Sequence, residues 1–144
     1  MDLVASWREH IRTGGQVVNK PKRDGTDAEN RVKEYAIERG WIHADRLTLS
    51  GAQDRGDIRL GDGVEFTLEV KGGQGAIKQI HSHVREMVAE MHNNGHNLGA
   101  VIAKKAGSRN VGSDWLAVMP AELLFDILDI LYGDLNPQLT PPEL

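Results

Sequence analysis

A single-domain α/β fold is what this sequence predicts, and three patterns predict it. Residues 57–60 and 64–71 alternate apolar and polar side chains, the period of two that a strand with one buried face requires. Gly99-Ala-Val-Ile-Ala103 is a continuous apolar run, as expected of a buried central strand. Residues 26–39 and 76–92 carry apolar stripes at helical spacing. At 144 residues the chain forms one domain with room for a real core.

Taken in order, residues 2–12 read as a short amphipathic helix, followed by a break at Gly14-Gly15. Asn19-Lys20-Pro21-Lys22-Arg23 is basic and too proline-bound to be helical. It suits either a track along a DNA backbone or a solvated arm. A helix over 26–39 follows. Thr26 and Glu29 make a T-x-x-E capping box, Val32, Tyr35, Ala36 and Ile37 form its apolar face, and Gly40 stops it. Residues 47–49 form a candidate strand.

Between the two alternating segments sits Gly61-Asp62-Gly63. A two-residue loop would mix apolar and polar side chains on one face. A three-residue loop pairs Leu60 with Val64 and Ile58 with Phe66, and gathers the apolar side chains together. That register sets Asp57 opposite Thr67 with Glu69 as its diagonal neighbour, roughly 7–8 Å away, close enough for two carboxylates to share one ion. It also sets Arg55 opposite Glu69. Asp57, Glu69 and Lys71 then lie on one face.

After the Gly72-Gly73-Gln74-Gly75 loop, the helix over 76–92 carries Ile77, Ile80, Val84, Met87, Val88 and Met91 on one stripe, which suits core packing better than a partner surface. Asn93-Asn94-Gly95 ends it. Residues 107–113 read as a polar loop and 115–119 as a strand. Pro120 opens a last helix over 121–131, and the Pro-rich tail from Gly133 reads as loose. Residues 1–24 are thus an N-terminal helix and basic arm, 25–132 the main domain and 133–144 a tail.

Two carboxylates and an ammonium gathered on a strand need solvation or a partner, so the trio asks for an explanation. Carboxylate oxygens suit a hard ion such as Mg²⁺ or Mn²⁺, which keeps waters for a substrate phosphate to displace. Such an ion neutralises charge on a scissile phosphate and acidifies a bound water. Lys71 is placed to orient or deprotonate that water, or to stabilise the developing charge. The quieter reading is a surface hairpin with a solvated Glu and Lys.

Composition excludes other classes. With 40% hydrophobic and 26% charged residues the chain reads as soluble and globular. It has no apolar run long enough to span a membrane, and its charged N-terminal residues do not form a signal peptide. The absence of cysteine removes disulfides and Cys-based zinc, and suits a reducing cytoplasm. His81 and His83 point apart on a helix, and Gly95 breaks the spacing of His92 and His96, so zinc is not expected. The net charge of −4 is unevenly placed: residues 1–110 hold all 17 Lys and Arg against 15 acids, leaving +2, while 111–144 carry −6. That distribution permits nucleic-acid binding without predicting it.

In order along the chain stand Gly25-Thr-Asp-Ala-Glu29-Asn-Arg, Arg55-Gly-Asp57-Ile, Leu68-Glu69-Val-Lys71, Ala100-Val-Ile-Ala-Lys-Lys105 and Asp114-Trp-Leu-Ala-Val-Met119-Pro. This series resembles the PD-(D/E)XK nuclease superfamily, and within it the archaeal-type and phage-encoded Holliday junction resolvases. The match spans residues 25–131. The resemblance implies a restriction-endonuclease-like mixed β-sheet flanked by helices, a homodimer, and paired Mg²⁺-dependent nicks in branched double-stranded DNA at a four-way junction, with no small-molecule cofactor. By matching motif, Asp57, Glu69 and the Val70 backbone carbonyl would hold metal, Lys71 would be the catalytic lysine, and Glu29 would hold metal directly or through water. Read from the residues themselves, the candidate DNA contacts are Lys20, Lys22 and Arg23, which lie outside the match, with Arg55, Gln74, Lys104, Lys105 and Arg109, although each also reads as a solvated charge or loop residue. Glu29 equally serves as a cap. The sequence departs from the family at Gly56, where Pro often precedes the Asp, and at the flexible Gly72-Gly73. Neither Thr48 nor Ser50 has the fixed spacing of a functional hydroxyl. A nuclease with another DNA substrate, or a non-cleaving DNA-binding module, remains an alternative on the same fold.

Overall fold

The computed structural model describes residues 20–47 and 56–139, with side chains from Gly25 onward. Helix α1 (Lys20–Glu38) leads to the short strands β1 (Asp45–Arg46) and β2 (Ile58–Arg59), then to β3 (Phe66–Lys71), helix α2 (Ile80–Asn94) and β4 (Leu98–Ala103). A one-turn helix α3 (Val111–Asp114), strand β5 (Leu116–Val118), helix α4 (Ala121–Tyr132) and a 3₁₀ turn at Gly133–Leu135 complete the elements of the described residues. The five strands form one sheet in the order β1-β2-β3-β4-β5. Only β3 and β4 run parallel, joined by the α2 crossover; the other neighbours are antiparallel. The expected mixed α/β sheet with flanking helices is therefore present. The expected helix over 2–12 lies outside the described residues.

Period two puts alternate side chains of β3 and β4 on opposite faces. On the first face, Leu68, Val70 and Ala100 join Ile58 and Trp115 and pack against Ala28 and Val32 of α1. On the second, Val101 packs with Met87 and Met91 of α2 and Leu123 of α4. The Met stripe is core, as its spacing suggested. Gly99 permits this contact, since a Cβ there would lie 2.7 Å from Met87 Sδ and 2.8 Å from the Thr67 carbonyl. On α4, in contrast, Leu124, Phe125, Leu128, Ile130, Leu131 and Tyr132 are exposed.

Several expected boundaries are corrected. The basic segment is helical from Lys20, so the division after residue 24 falls inside α1. Pro21 sits in the first turn, where a missing N–H breaks no helical bond. With six helical residues before it, Thr26 cannot cap the helix, and Glu29 is a mid-helix residue. The other end behaves as predicted: Gly40 takes φ +104°, and the N–H groups of Gly40 and Trp41 bond the carbonyls of Ile37 and Ala36.

The strand expected at 47–49 lies earlier, at Asp45–Arg46; Leu47 still donates to the Asp57 carbonyl at 2.8 Å, and 48–49 lie outside the described residues. Turns occupy 76–79, so α2 begins later, and Gly95 ends it in the left-handed region at φ +68°. Part of the predicted 107–113 loop winds into α3, tied by Ser108 Oγ donating to Asp114. Pro120 stands just before α4 rather than in its first turn, and the tail continues into ordered turns through Leu139.

The hairpin register also differs. Ile58 pairs with Leu68, two residues beyond the expected Phe66. A slip of two leaves every side chain on its predicted face, because alternation has the same period. It lengthens the loop and turns the diagonal Asp57–Glu69 relation into a direct one.

Candidate active site

Asp57 sits just ahead of β2, and its Oδ2 accepts a 2.7 Å hydrogen bond from the Val70 N–H. Its carboxyl also contacts that of Glu69. Burial pushes Asp57 well above the ordinary carboxylate range, Glu69 and more distant Glu29 push the same way, and the Val70 bond opposes them. Glu69 is 5% exposed. Burial, then contact with the Glu90 carboxyl, raises it to about 8 despite the neighbouring Lys71. One Glu69 oxygen lies 3.1 Å from Lys71 Nζ; the other, Oε2, is buried with no hydrogen-bond partner.

Lys71 ends β3 and bridges Glu69 to Glu86 of α2, at 3.1 and 2.9 Å. Burial alone would favour its neutral form, but the two carboxylates outweigh that and hold it as an ammonium ion above its usual pKa. Near them His83 keeps a buried Nδ1 without a hydrogen-bond partner, and burial followed by repulsion from Lys71 lowers its pKa. Thr67, on the same face of β3, bonds His96 Nδ1 and Asn94 Nδ2, each at 3.0 Å. His96 is thus engaged away from His92.

The structure brings Asp57, Glu69 and Lys71 together. Glu29 reaches the edge of this group from α1, but its Oε2 is held by Arg46 Nε at 2.8 Å and Nη2 at 2.6 Å. That fork replaces the predicted cap. Val70 contributes its N–H to Asp57 and buries its side chain in the first core. Arg55 lies outside the described residues; among the described residues Lys71 is the cation beside Glu69. Nothing is described of the Lys20, Lys22 and Arg23 side chains.

Gln74 is exposed beyond β3, as are Lys105 and Arg109. Lys104 donates its backbone N–H to the Lys71 carbonyl at 2.9 Å, and its Nζ lies 6.0 Å over the Trp115 ring. Because β3 and β4 are parallel with Lys71 opposite Ala103, Lys104 and Lys105 follow at the sheet end that carries Lys71.

Three contributors escaped the sequence reading: Arg46, Glu86 and Glu90. Glu90 left a signal, since it falls between Met87 and Met91 on an apolar stripe where an acid is out of place. Arg46 and Glu86 left none, being ordinary charges until the fold pairs them.

Gly56 accounts for the missing Pro. Its φ of +93° is closed to Pro, and a Cβ would meet the Leu68 carbonyl at 3.1 Å and Thr67 Cγ2 at 3.2 Å.

No family model, curated protein or solved structure matches this chain.

The donor set fits a hard divalent ion. Among the described residues no three acids or histidines close a metal cage. Mg²⁺ typically takes only one or two protein carboxylates and keeps water for the rest. Asp57 and Glu69 supply two adjoining carboxyls, and the unpartnered Oε2 of Glu69 offers a ligand oxygen.

Proposed function

We propose that this chain is a metal-dependent endodeoxyribonuclease selective for DNA structure, acting as a Holliday junction resolvase that makes paired nicks at four-way junctions. The observation that carries the reading is half-buried Asp57 adjoining buried Glu69, with Lys71 Nζ 3.1 Å from Glu69. Buried carboxylates crowded together are costly unless a cation or proton sits with them, and Lys71 compensates only one. Its place at the sheet end that continues into Lys104 and Lys105 suits an approaching phosphate backbone.

Asp57 and Glu69 would hold Mg²⁺ or Mn²⁺, with Val70 positioning Asp57 through its N–H. When bound, the ion neutralises charge on the scissile phosphate and acidifies a coordinated water. Lys71, held as an ammonium between Glu69 and Glu86, is suited to stabilising developing negative charge rather than to accepting a proton. Glu29, fixed by Arg46, adds negative field near Asp57.

Two cuts related by symmetry require two sites, and a second copy of the chain is the partner proposed. The exposed apolar side chains of α4 support association of this kind. Among the described residues no helix is long and apolar enough to cross a membrane; action on DNA in the cytoplasm belongs to the same proposal.

The test is Mg²⁺-dependent cleavage of a labelled four-way junction beside linear duplex, fork and single strand. Symmetric nicks in the junction alone, lost in Lys71→Ala, are expected. Cleavage of every substrate would leave a nuclease and remove the resolvase. Tight junction binding without cleavage would identify a non-cleaving module.

A further inference from the structure

Lys104, Lys105 and Arg109 sit on a loop that is hydrogen-bonded along its length. The loop leaves β4 at the sheet end that carries Lys71, and the Lys104 N–H ties it there by donating to the Lys71 carbonyl at 2.9 Å. Gly107, at φ +79°, turns the chain, and the Ser108 N–H closes the turn on the Lys105 carbonyl at 3.1 Å. Ser108 then makes three further bonds. Its hydroxyl donates to Asp114 and accepts from the Asn110 N–H at 3.1 Å, while its carbonyl accepts from Trp115 Nε1 at 3.1 Å. Trp115 is buried in the first core, so Ser108 fastens the loop to the body of the protein.

The cations on this loop are left without carboxylate partners. Among the described residues no ion pair involves Lys104, Lys105 or Arg109, although Asp114 stands a few residues on. Asp114 is engaged instead by two hydroxyls, Ser108 at one oxygen and Ser113 at the other. Lys105 and Arg109 are exposed. A connection between β4 and α3 needs neither the fastening nor the unpaired charge. Together they suit an extended polyanion, because a loop already ordered avoids the conformational entropy that a loose one loses on binding.

We infer that Ser108 is a positioning residue: fastened to Asp114 and Trp115, it holds residues 104–110 as a preformed clamp in which Lys105 and Arg109 take phosphates of the DNA backbone beside the scissile one. This rests on the DNA-binding part of the proposed function and is independent of the metal. It adds to the reactive group a neighbouring region that binds without reacting.

Binding of labelled DNA, a four-way junction and a linear duplex, to the full chain in Ca²⁺ over a range of salt tests it. Four proteins are compared: wild type, Ser108→Ala, the double variant Lys105→Ala with Arg109→Ala, and the triple variant that combines them. Thermal melting shows that each is folded. Removing both cations should weaken binding by about 10-fold or more and reduce the salt slope by about 2, since each phosphate contact contributes about 0.9. Ser108→Ala keeps both cations, so its slope should match wild type while affinity falls about 3–10-fold, the cost of ordering a loosened loop. The triple variant should bind no more weakly than the double, because without the cations Ser108 has nothing to position. A residue that serves folding alone would lower affinity equally in both backgrounds, and that result overturns the inference; so does wild-type affinity in Ser108→Ala. Unchanged affinity and slope in the double variant removes the clamp and leaves the nuclease reading standing. Failure of wild type to bind either DNA overturns the DNA reading itself, and this inference with it.

Discussion

The two faces of the sheet come from the same strands but are packed on opposite principles. Toward α1, Ile58, Leu68, Val70, Ala100 and Trp115 close an apolar layer around Ala28 and Val32. Toward α2, Val101, Met87 and Met91 share their layer with Thr67, Glu69 and Glu90, polar groups that are 1%, 5% and 4% exposed. Apolar burial stabilises in proportion to area, whereas buried carboxylates destabilise unless compensated. The first face supplies stability, and the second gives some of it up to hold acids close together. Proteins commonly make that trade where they bind or react.

Substitutions on the two faces should therefore separate stability from activity. The largest effect is expected from Glu69→Gln, which should lower junction cleavage on the order of 10³-fold or more by removing several kcal/mol of charge stabilisation. Junction binding in Ca²⁺ should persist, and the metal-free protein should melt higher at pH 8. A lower melting temperature would mean that Glu69 stabilises the fold. Next, Ile58→Ala on the opposite face should cost about 2–5 kcal/mol in denaturant unfolding, with metal affinity in the folded protein unchanged. Loss of metal affinity there would mean that the two faces are not independent.

The acidic face should also set the pH dependence. Glu69 keeps its proton up to about pH 8 when folded, against 4.5 for an ordinary glutamic acid. The folded chain then binds more protons than the unfolded chain between those values, so metal-free stability should fall as pH rises from about 4.5 to about 8. Asp57 acts in the same direction. Mg²⁺ should restore the melting temperature at pH 8 more than at pH 5, since its ligands must be deprotonated. A flat profile in EDTA would contradict the buried-acid account.

The smallest effect should come from Glu86→Gln. Its side chain is 51% exposed, and surface pairs of this kind contribute about 0.2–1 kcal/mol. Cleavage should fall no more than about 10-fold, measured at low and high salt.

Local chemistry determined much of this by itself. Alternation through 64–71, the apolar run at 99–103 and the glycines at 40 and 95 set strands, the interior (though not central) position of β4 and two helix ends, because each depends on neighbours a few residues apart. The same alternation put Asp57, Glu69 and Lys71 on one side. Tertiary structure decided what alternation cannot see: a slip of two residues leaves every face unchanged, so only packing set Ile58 against Leu68. It also carried the helix back through Pro21 and turned Glu29 from a cap into the partner of Arg46. Glu90 and Glu86 joined the site only when the α2 crossover laid that helix over β3, since contacts between residues so far apart in sequence leave no local period.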